Sequence, residues 1–239
     1  MNPELEVALF ERYPEILPGL GDRSSPSFKY GCEHRDGWYP LLDAVCEVLM
    51  ERAMAIGTRP PQAVQIKQKF GGLRFYARHV EDEYMFEAIS MAELHSFRLC
   101  EITGGPGRLS KSGGSYSTVA RGIEIDEFEW VAAEAPPLPP LTVEEATSYL
   151  VRKWPSTVRC VPRITGGWLD LVSTLVDWVS ERTRTDPDHD VAFEELREHE
   201  GELVVSLRQA VDADQGSITF AKAMARRTDP VTGQTAVPR

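Results

Sequence analysis

The feature that most constrains this chain is an internal repetition. Asp36-Gly37-Trp38 through Glu51-Arg52 (DGWYPLLDAVCEVLMER) aligns with Gly166-Gly167-Trp168 through Glu181-Arg182 (GGWLDLVSTLVDWVSER). In the first segment Trp38, Leu41, Leu42, Val45 and Leu49 recur at helical spacing, and in the second Trp168, Leu171, Val172, Leu175 and Val179 do the same. That period predicts an amphipathic helix in each half with one face turned to a core. At the same offset Gly71, Leu73, Phe75 and Arg78 match Gly201, Leu203, Val205 and Arg208. After a one-residue slip Ile89, Met91 and Ala92 match Ile218, Phe220 and Ala221, and Ile102-Thr103-Gly104 matches Val231-Thr232-Gly233. Upstream, Glu4, Leu9 and Tyr13-Pro14 match Glu145, Leu150 and Trp154-Pro155. Matches that keep their order over a whole half point to two diverged copies of one unit.

The unit reads as helix, helix, β-hairpin, helix. A short helix ends at Tyr13-Pro14 or Trp154-Pro155, since the residue before proline is driven out of the α region. After the Gly-Trp helix, Val64–Lys69 and Leu73–Arg78 alternate around Gly71-Gly72, a hairpin turn signal. A second long helix is expected from Asp82 to Leu99, with Met85, Ile89, Ala92 and Ser96 on one side. The fold class is therefore α+β, with the helices of each copy packed on a small antiparallel sheet. Ala132–Thr142, with four prolines, marks a linker, and Thr142 with Glu145 forms a capping box that opens a helix through Lys153. The expected organisation is a first copy at 1–130, a proline-rich linker at 131–141 and a second copy at 142–239. Alternation at Ile123, Ile125, Phe128 and Trp130 adds one strand before the linker.

Charge narrows the partners. The net charge is −11, and neither half is basic: residues 1–135 carry 21 acids against 14 bases, and the remainder 16 against 12. A chain-wide attraction to nucleic acid or anionic lipid is thereby disfavoured. Met1–Leu17 carries four glutamates and no apolar core run, and Asp170 and Asp177 interrupt the most apolar helix, so neither a secretory signal nor a membrane span is expected. Cys32, Cys46, Cys100 and Cys160 are scattered with no CxxC pair, which fits reduced thiols and a cytoplasmic setting. Cys46 falls on an apolar helical face as a small core residue.

Several motifs carry a resemblance. Asp36-Gly37-Trp38-Tyr39, Val64-Gln65-Ile66-Lys67, Lys69-Phe70-Gly71-Gly72-Leu73-Arg74-Phe75-Tyr76, Ala92-Glu93 and Cys100-Glu101 with Gly104 and Pro106-Gly107 resemble an uncharacterised family of small phage and prophage proteins. The opening Pro3-Glu4-Leu5 with Phe10-Glu11-Arg12-Tyr13-Pro14 fits it too, so the likeness covers about residues 1–125. It implies a mobile-element context and no established activity. Members of that family commonly end in a zinc-ribbon-like knuckle with two Cys-x-x-Cys pairs. The resemblance places those ligands at Cys100, Thr103, Ala120 and Ile123, so region 100–123 reads as a knuckle with a single remaining thiol and no metal. Asp229 and Thr232 stand at the first two places in the second copy. No cofactor is expected.

Two surfaces are candidate binding sites. Alternation along the first hairpin puts Lys67, Lys69, Arg74 and Arg78 on one face with Tyr76, while Ile66, Leu73 and Phe75 face the core. A basic face bearing an aromatic is what a single-strand or phosphate contact uses, although the same pattern is shared by many solvated faces. The second copy keeps Arg197 and Arg208 but has Val204 and Ser206 between them. The acidic run Glu124, Asp126, Glu127 and Glu129 is the other candidate, as a surface for a basic partner or as a charged strand edge. Asp186–Asp190 lacks the glycine and spaced glutamate of a calcium loop. GxSxG, HExxH and P-loop signatures are missing, so Cys32, His34 and Asp36 are the remaining catalytic alternative. Trp38 and Trp168 read as core anchors. The expected function is a non-enzymatic cytoplasmic binding protein, inhibitor or immunity-like, whose partner is a protein such as a basic toxin, a nuclease or a defence-system component. Nucleic-acid binding through the basic hairpin is the alternative.

Overall fold

A computed structural model of the chain describes residues 1–19, 31–123, 129–131, 135–186 and 188–238. Among these the architecture is α+β, with six α-helices and three antiparallel sheets of two, three and two strands. Helix α1 (Pro3–Arg12) stops at Tyr13, whose backbone leaves the helical region ahead of Pro14. A single 3-10 turn, Asp36–Trp38, feeds α2 (Tyr39–Ile56). Pro40 sits in the first turn of α2, where its missing N–H is no loss, and Gly57 ends the helix in the left-handed conformation. Strands β1 (Gln62–Lys69) and β2 (Gly72–Arg78) form the expected hairpin. Helix α3 (Glu83–His95) is capped by Asp82, whose side chain accepts from the Met85 N–H. It is shorter than its sequence period implies, because the chain tightens into a 3-10 turn over Ser96–Arg98.

The region read as a metal-free knuckle contains a second hairpin, β3 (Arg108–Ser112) and β4 (Ser115–Val119). Strand β5 (Glu129–Trp130) adds to the free side of β3. Of the strand expected before the linker, Ile125 and Phe128 lie outside the described residues. Helix α4 (Val143–Lys153) opens on the Thr142–Glu145 capping box, with both reciprocal hydrogen bonds made. A 3-10 turn, Gly166–Trp168, then leads into α5 (Leu169–Thr185), followed by β6 (Ala192–His199), β7 (Glu202–Arg208) and α6 (Asp212–Ala225).

Residues 3–95 and 143–225 thus carry the same elements in the same order, and their irregularities coincide. Both hairpins shift register at one point, between Ala63 and Gln65 and between Phe193 and Glu195. Both turn on two left-handed residues, Phe70-Gly71 at φ 53° and 81° and Glu200-Gly201 at φ 53° and 83°. That pair of positive φ values matches the twist of the strands it joins, and it is why glycine holds the second place. Each buried tryptophan donates its indole N–H to a distant carbonyl, Trp38 to Leu99 O at 2.8 Å and Trp168 to Thr228 O at 3.0 Å. Beside them Gly37 and Gly167 press against backbone, where an added Cβ would lie 2.3 Å from Cys100 O and 2.6 Å from Asp229 O. No larger residue fits without moving the chain.

The halves pack as a reciprocal pair. Helices α3 and α6 cross at the centre, α3 also meets α5, and α6 meets α2. One continuous apolar cluster takes Leu42, Val45, Met85 and Met91 from the first half and Leu171, Leu175, Phe220 and Met224 from the second. Ion pairs repeat the exchange at the seam. Arg227 of the second half reaches Asp43 at 2.7 Å and Glu47 at 2.6 Å on α2. Arg98 of the first half binds Asp177 on α5. On each helix the segment before the Pro adds its own donors: Arg12 and Tyr13 to Asp43, Lys153 and Trp154 to Asp177.

Candidate functional site

The β1–β2 hairpin is held along both edges. The Leu73 N–H donates to Ser96 Oγ at 2.8 Å and the Phe75 N–H to Glu93 Oε1 at 2.8 Å, so side chains of α3 and of the 3-10 turn after it occupy the outer edge of β2. Glu33 closes the edge of β1, donating to Ile66 O at 3.0 Å and accepting from Gln68 N–H at 2.8 Å. With both edges paired, no strand can be added, and recognition must use the open face. Ile66, Leu73 and Phe75 are buried as expected.

On the open face Lys67 stands opposite Arg74 and Gln65 opposite Tyr76. Residues directly opposite in an antiparallel pair project to the same side. Lys67 Nζ lies 5.6 Å from the centre of the Tyr76 ring, which is 41% exposed. Lys69 and Arg78 are exposed at the two ends. Arg74 is only partly available: it donates to Leu73 O, stands 3.7 Å from Glu93 and lies over the Phe97 ring. It serves to fix the strand to α3 as much as to charge the face.

The face is larger than the first hairpin. Phe70, in the turn, is 65% exposed. The β3–β4 hairpin docks against this turn through Gln68 Nε2 donating to Tyr116 O at 2.6 Å and Thr118 Oγ1 donating to Gly71 O at 2.7 Å. Those bonds bring Tyr116 edge-on to Phe70 at 6.5 Å between ring centres. Lys69 Nζ is 5.5 Å from the Phe70 ring and Lys111 Nζ is 5.6 Å from the Tyr116 ring. Lysine and aromatic groups therefore alternate from Lys67 and Tyr76 through Lys69 and Phe70 to Tyr116 and Lys111. Cation–π contacts of this kind are weakly stabilising when exposed and leave the lysine N–H groups free to reach a ligand. Among the described residues Lys67, Lys69, Arg78 and Lys111 make no ion pair.

Sequence reasoning missed Phe70, Lys111 and Tyr116. Alternation stops at the turn, and the contact joining Phe70 to Tyr116 spans a sequence separation that no local pattern reports. The only available signal was a large apolar residue in a turn position.

The acidic candidate is poorly represented. Glu124, Asp126 and Glu127 lie outside the described residues. Glu129 is exposed on β5 opposite Lys111, so its charge borders the basic face. The catalytic alternative receives no geometry it can use. Cys32 and His34 are buried. Burial beside Glu6 pushes the Cys32 thiol up, away from the thiolate a nucleophile needs. Burial pushes the His34 ring down to about 4, its Nδ1 lies 2.7 Å from Arg35 O, and it stacks near Trp38. Asp36 accepts from the Asn2 N–H at 2.6 Å. Cys32 and His34 are thus packed inside, with His34 Nε2 unpartnered among the described residues, whereas Asp36 makes its hydrogen bond at the surface. Among the described residues no three His, Cys, Asp or Glu side chains gather to hold a metal, and no helix is long and apolar enough to cross a membrane.

Comparison of the chain with models of known families, with curated proteins and with solved structures gave no match.

Proposed function

We propose that this chain is a cytoplasmic binding protein of phage or mobile-element origin that holds single-stranded nucleic acid on the face built by β1–β2 and β3–β4. One observation carries the reading. In a chain of net charge −11, Lys67, Lys69, Arg78 and Lys111 stand without ion pairs among the described residues, beside the exposed rings of Phe70 and Tyr76 and the half-buried ring of Tyr116. Cations neutralise phosphates, and exposed rings stack on splayed bases; together they suit a strand whose bases are not already paired. The four free cysteines support a reducing compartment.

The test is binding of a labelled single-stranded oligonucleotide, read by fluorescence anisotropy at 50 and 200 mM salt. Binding is expected to weaken steeply with salt and to fall at least tenfold in the double variant Lys67→Ala/Lys69→Ala. Absence of binding at 50 mM salt, or binding indifferent to that substitution, overturns the proposal.

The second reading, an inhibitor or immunity-type protein that occupies a protein partner, draws on the acidic total and on Glu129. A partner recovered in a stoichiometric complex, with oligonucleotide unbound, would favour it.

A further inference from the structure

At the seam between the halves, on the second-half side, lies a cleft of about 480 Å³. Phe97 and Leu94 wall it from the first half, and Trp154, Trp178 and Thr174 from the second. Arg98, Lys153, Asp177 and Glu181 supply its charged groups. The volume is in the range of small-molecule sites, and the mostly apolar wall with few polar groups is their usual composition.

The hydrogen-bonding capacity left in the cleft is one-sided. The Asp177 carboxylate accepts from Arg98, from Lys153 at 3.0 Å and from Trp154 Nε1 at 2.5 Å. Glu181 is engaged by Arg184. Both carboxylates are therefore matched. The donors are not exhausted: Lys153 has three N–H groups and Arg98 five, of which Arg98 gives one to Asp177 and one to Asp170 O. Two cations share the Asp177 carboxylate at one end of the cleft, whereas at the other Glu87 takes the Trp178 indole N–H and shares Arg182 with Asp214, so the excess of donors is local to Lys153 and Arg98. The equivalent cluster of the other half is balanced, with Arg12, Arg226 and Arg227 set against Asp43, Glu47 and Glu202. On α5, Ser173 stands where α2 has Asp43, and its buried hydroxyl has no hydrogen-bond partner among the described residues.

From these observations we infer that the seam cleft is a second binding site, which takes a flat aromatic ring carrying one carboxylate. The ring lies among Phe97, Trp154 and Trp178, and the carboxylate meets the free donors of Lys153 and Arg98. Aromatic rings gain from offset or edge packing against such walls, and a charge-assisted hydrogen bond fixes the orientation.

The experiment is calorimetric titration of the full chain with 2-naphthoate and with its neutral analogue 2-naphthalenemethanol. Naphthoate is expected to bind at one site at least tenfold more tightly than the alcohol. Lys153→Met should remove that tenfold preference and leave the alcohol unchanged, whereas Lys67→Met, on the basic aromatic face, should leave both alone. No naphthoate binding in the wild-type chain, equal affinity for the two compounds, or loss in Lys67→Met with Lys153→Met unaffected each overturns the inference. The wild-type pair of titrations decides the charge requirement even if a variant fails to fold.

Discussion

The β1–β2 and β6–β7 hairpins have the same strand lengths, the same register shift and the same left-handed turn. Their open faces differ. Where the first has Lys67, Arg74 and Tyr76, the second has Arg197, Val204 and Ser206, and its cations are matched within the hairpin region: Arg197 with Glu195, and Arg208 with Asp190 at 3.1 Å. The backbone geometry is the same in both, whereas unpaired charge and exposed rings stand on one only. Positions fixed by the fold, such as Gly71 and Gly201, say nothing of function here; the working face is recognised by what the fold does not require.

Breaking the shared frame has the largest expected effect. Trp38→Ala or Trp168→Ala removes a fully buried indole and its hydrogen bond, and should destabilise the chain by about 3–5 kcal/mol. Because the apolar cluster is continuous across the halves, each variant should still unfold in one transition, followed by circular dichroism in urea. Two transitions would show that the halves are independent.

The seam comes next. Arg227→Met leaves Asp43 and Glu47 facing each other with less counter-charge. Burial raises the energy of the Glu47 carboxylate, but the hydrogen bonds from Arg227 and Arg226 outweigh it and hold its pKa below the usual range. The expected loss is about 3 kcal/mol, against about 1.5 kcal/mol for Arg98→Met, whose partner Asp177 keeps Lys153. Equal losses would mean the two ends of the seam are not different in kind.

The face itself is tested by Tyr76→Ala, expected to weaken oligonucleotide binding by about 2 kcal/mol with little change in salt dependence, as loss of one stacked base should. The matching pair Arg197→Ala/Arg208→Ala should leave binding unchanged. A smaller asymmetry concerns acid. His34 and His95 of the first half are buried, with pKa values lowered to about 4 and about 3; burial is the main cause, and Arg98 and Arg108 reinforce it at His95. The corresponding places in the second half are held by Ile164 and Met224. A lowered folded-state pKa means the unfolded chain binds more protons below about 6.5. Stability should therefore fall as pH drops from about 6.5 towards 4, by up to about 1.4 kcal/mol per pH unit for each histidine. His95→Met should flatten that slope in urea titrations at pH 6.5, 5.5 and 4.5.

What the sequence disclosed was what local geometry controls. The hairpin was legible from Gly71-Gly72, although its turn sits one residue earlier at Phe70-Gly71 and Gly72 opens β2, and so were the helix start at Thr142 and the buried faces at Ile66, Leu73 and Phe75, because each follows from φ preference or alternation within a few residues. The reach of a long side chain was not: alternation placed Arg74 on the face but could not show it bent towards Glu93 and Phe97. Nor could any pattern join Phe70 to Tyr116, or Arg227 to Glu47, since those contacts exist only after distant elements pack. The region 100–123 was read through a lost metal site, and its hairpin went unnoticed because Ser110, Ser112, Ser115 and Ser117 give little apolar alternation.

Arg227 leaves its own half to neutralise the other, whereas Arg98 brings a second cation to an Asp177 that Lys153 of its own half already meets. A half that depends on its neighbour for a counter-ion cannot be exchanged alone. A recombination event in the proline-rich linker that brought in a foreign second half without an arginine at the Arg227 position would leave the carboxylates of α2 short of a cation. Arg227 therefore marks its half as belonging to this particular companion, so that a change at Arg227 and a change at Asp43 and Glu47 come in step.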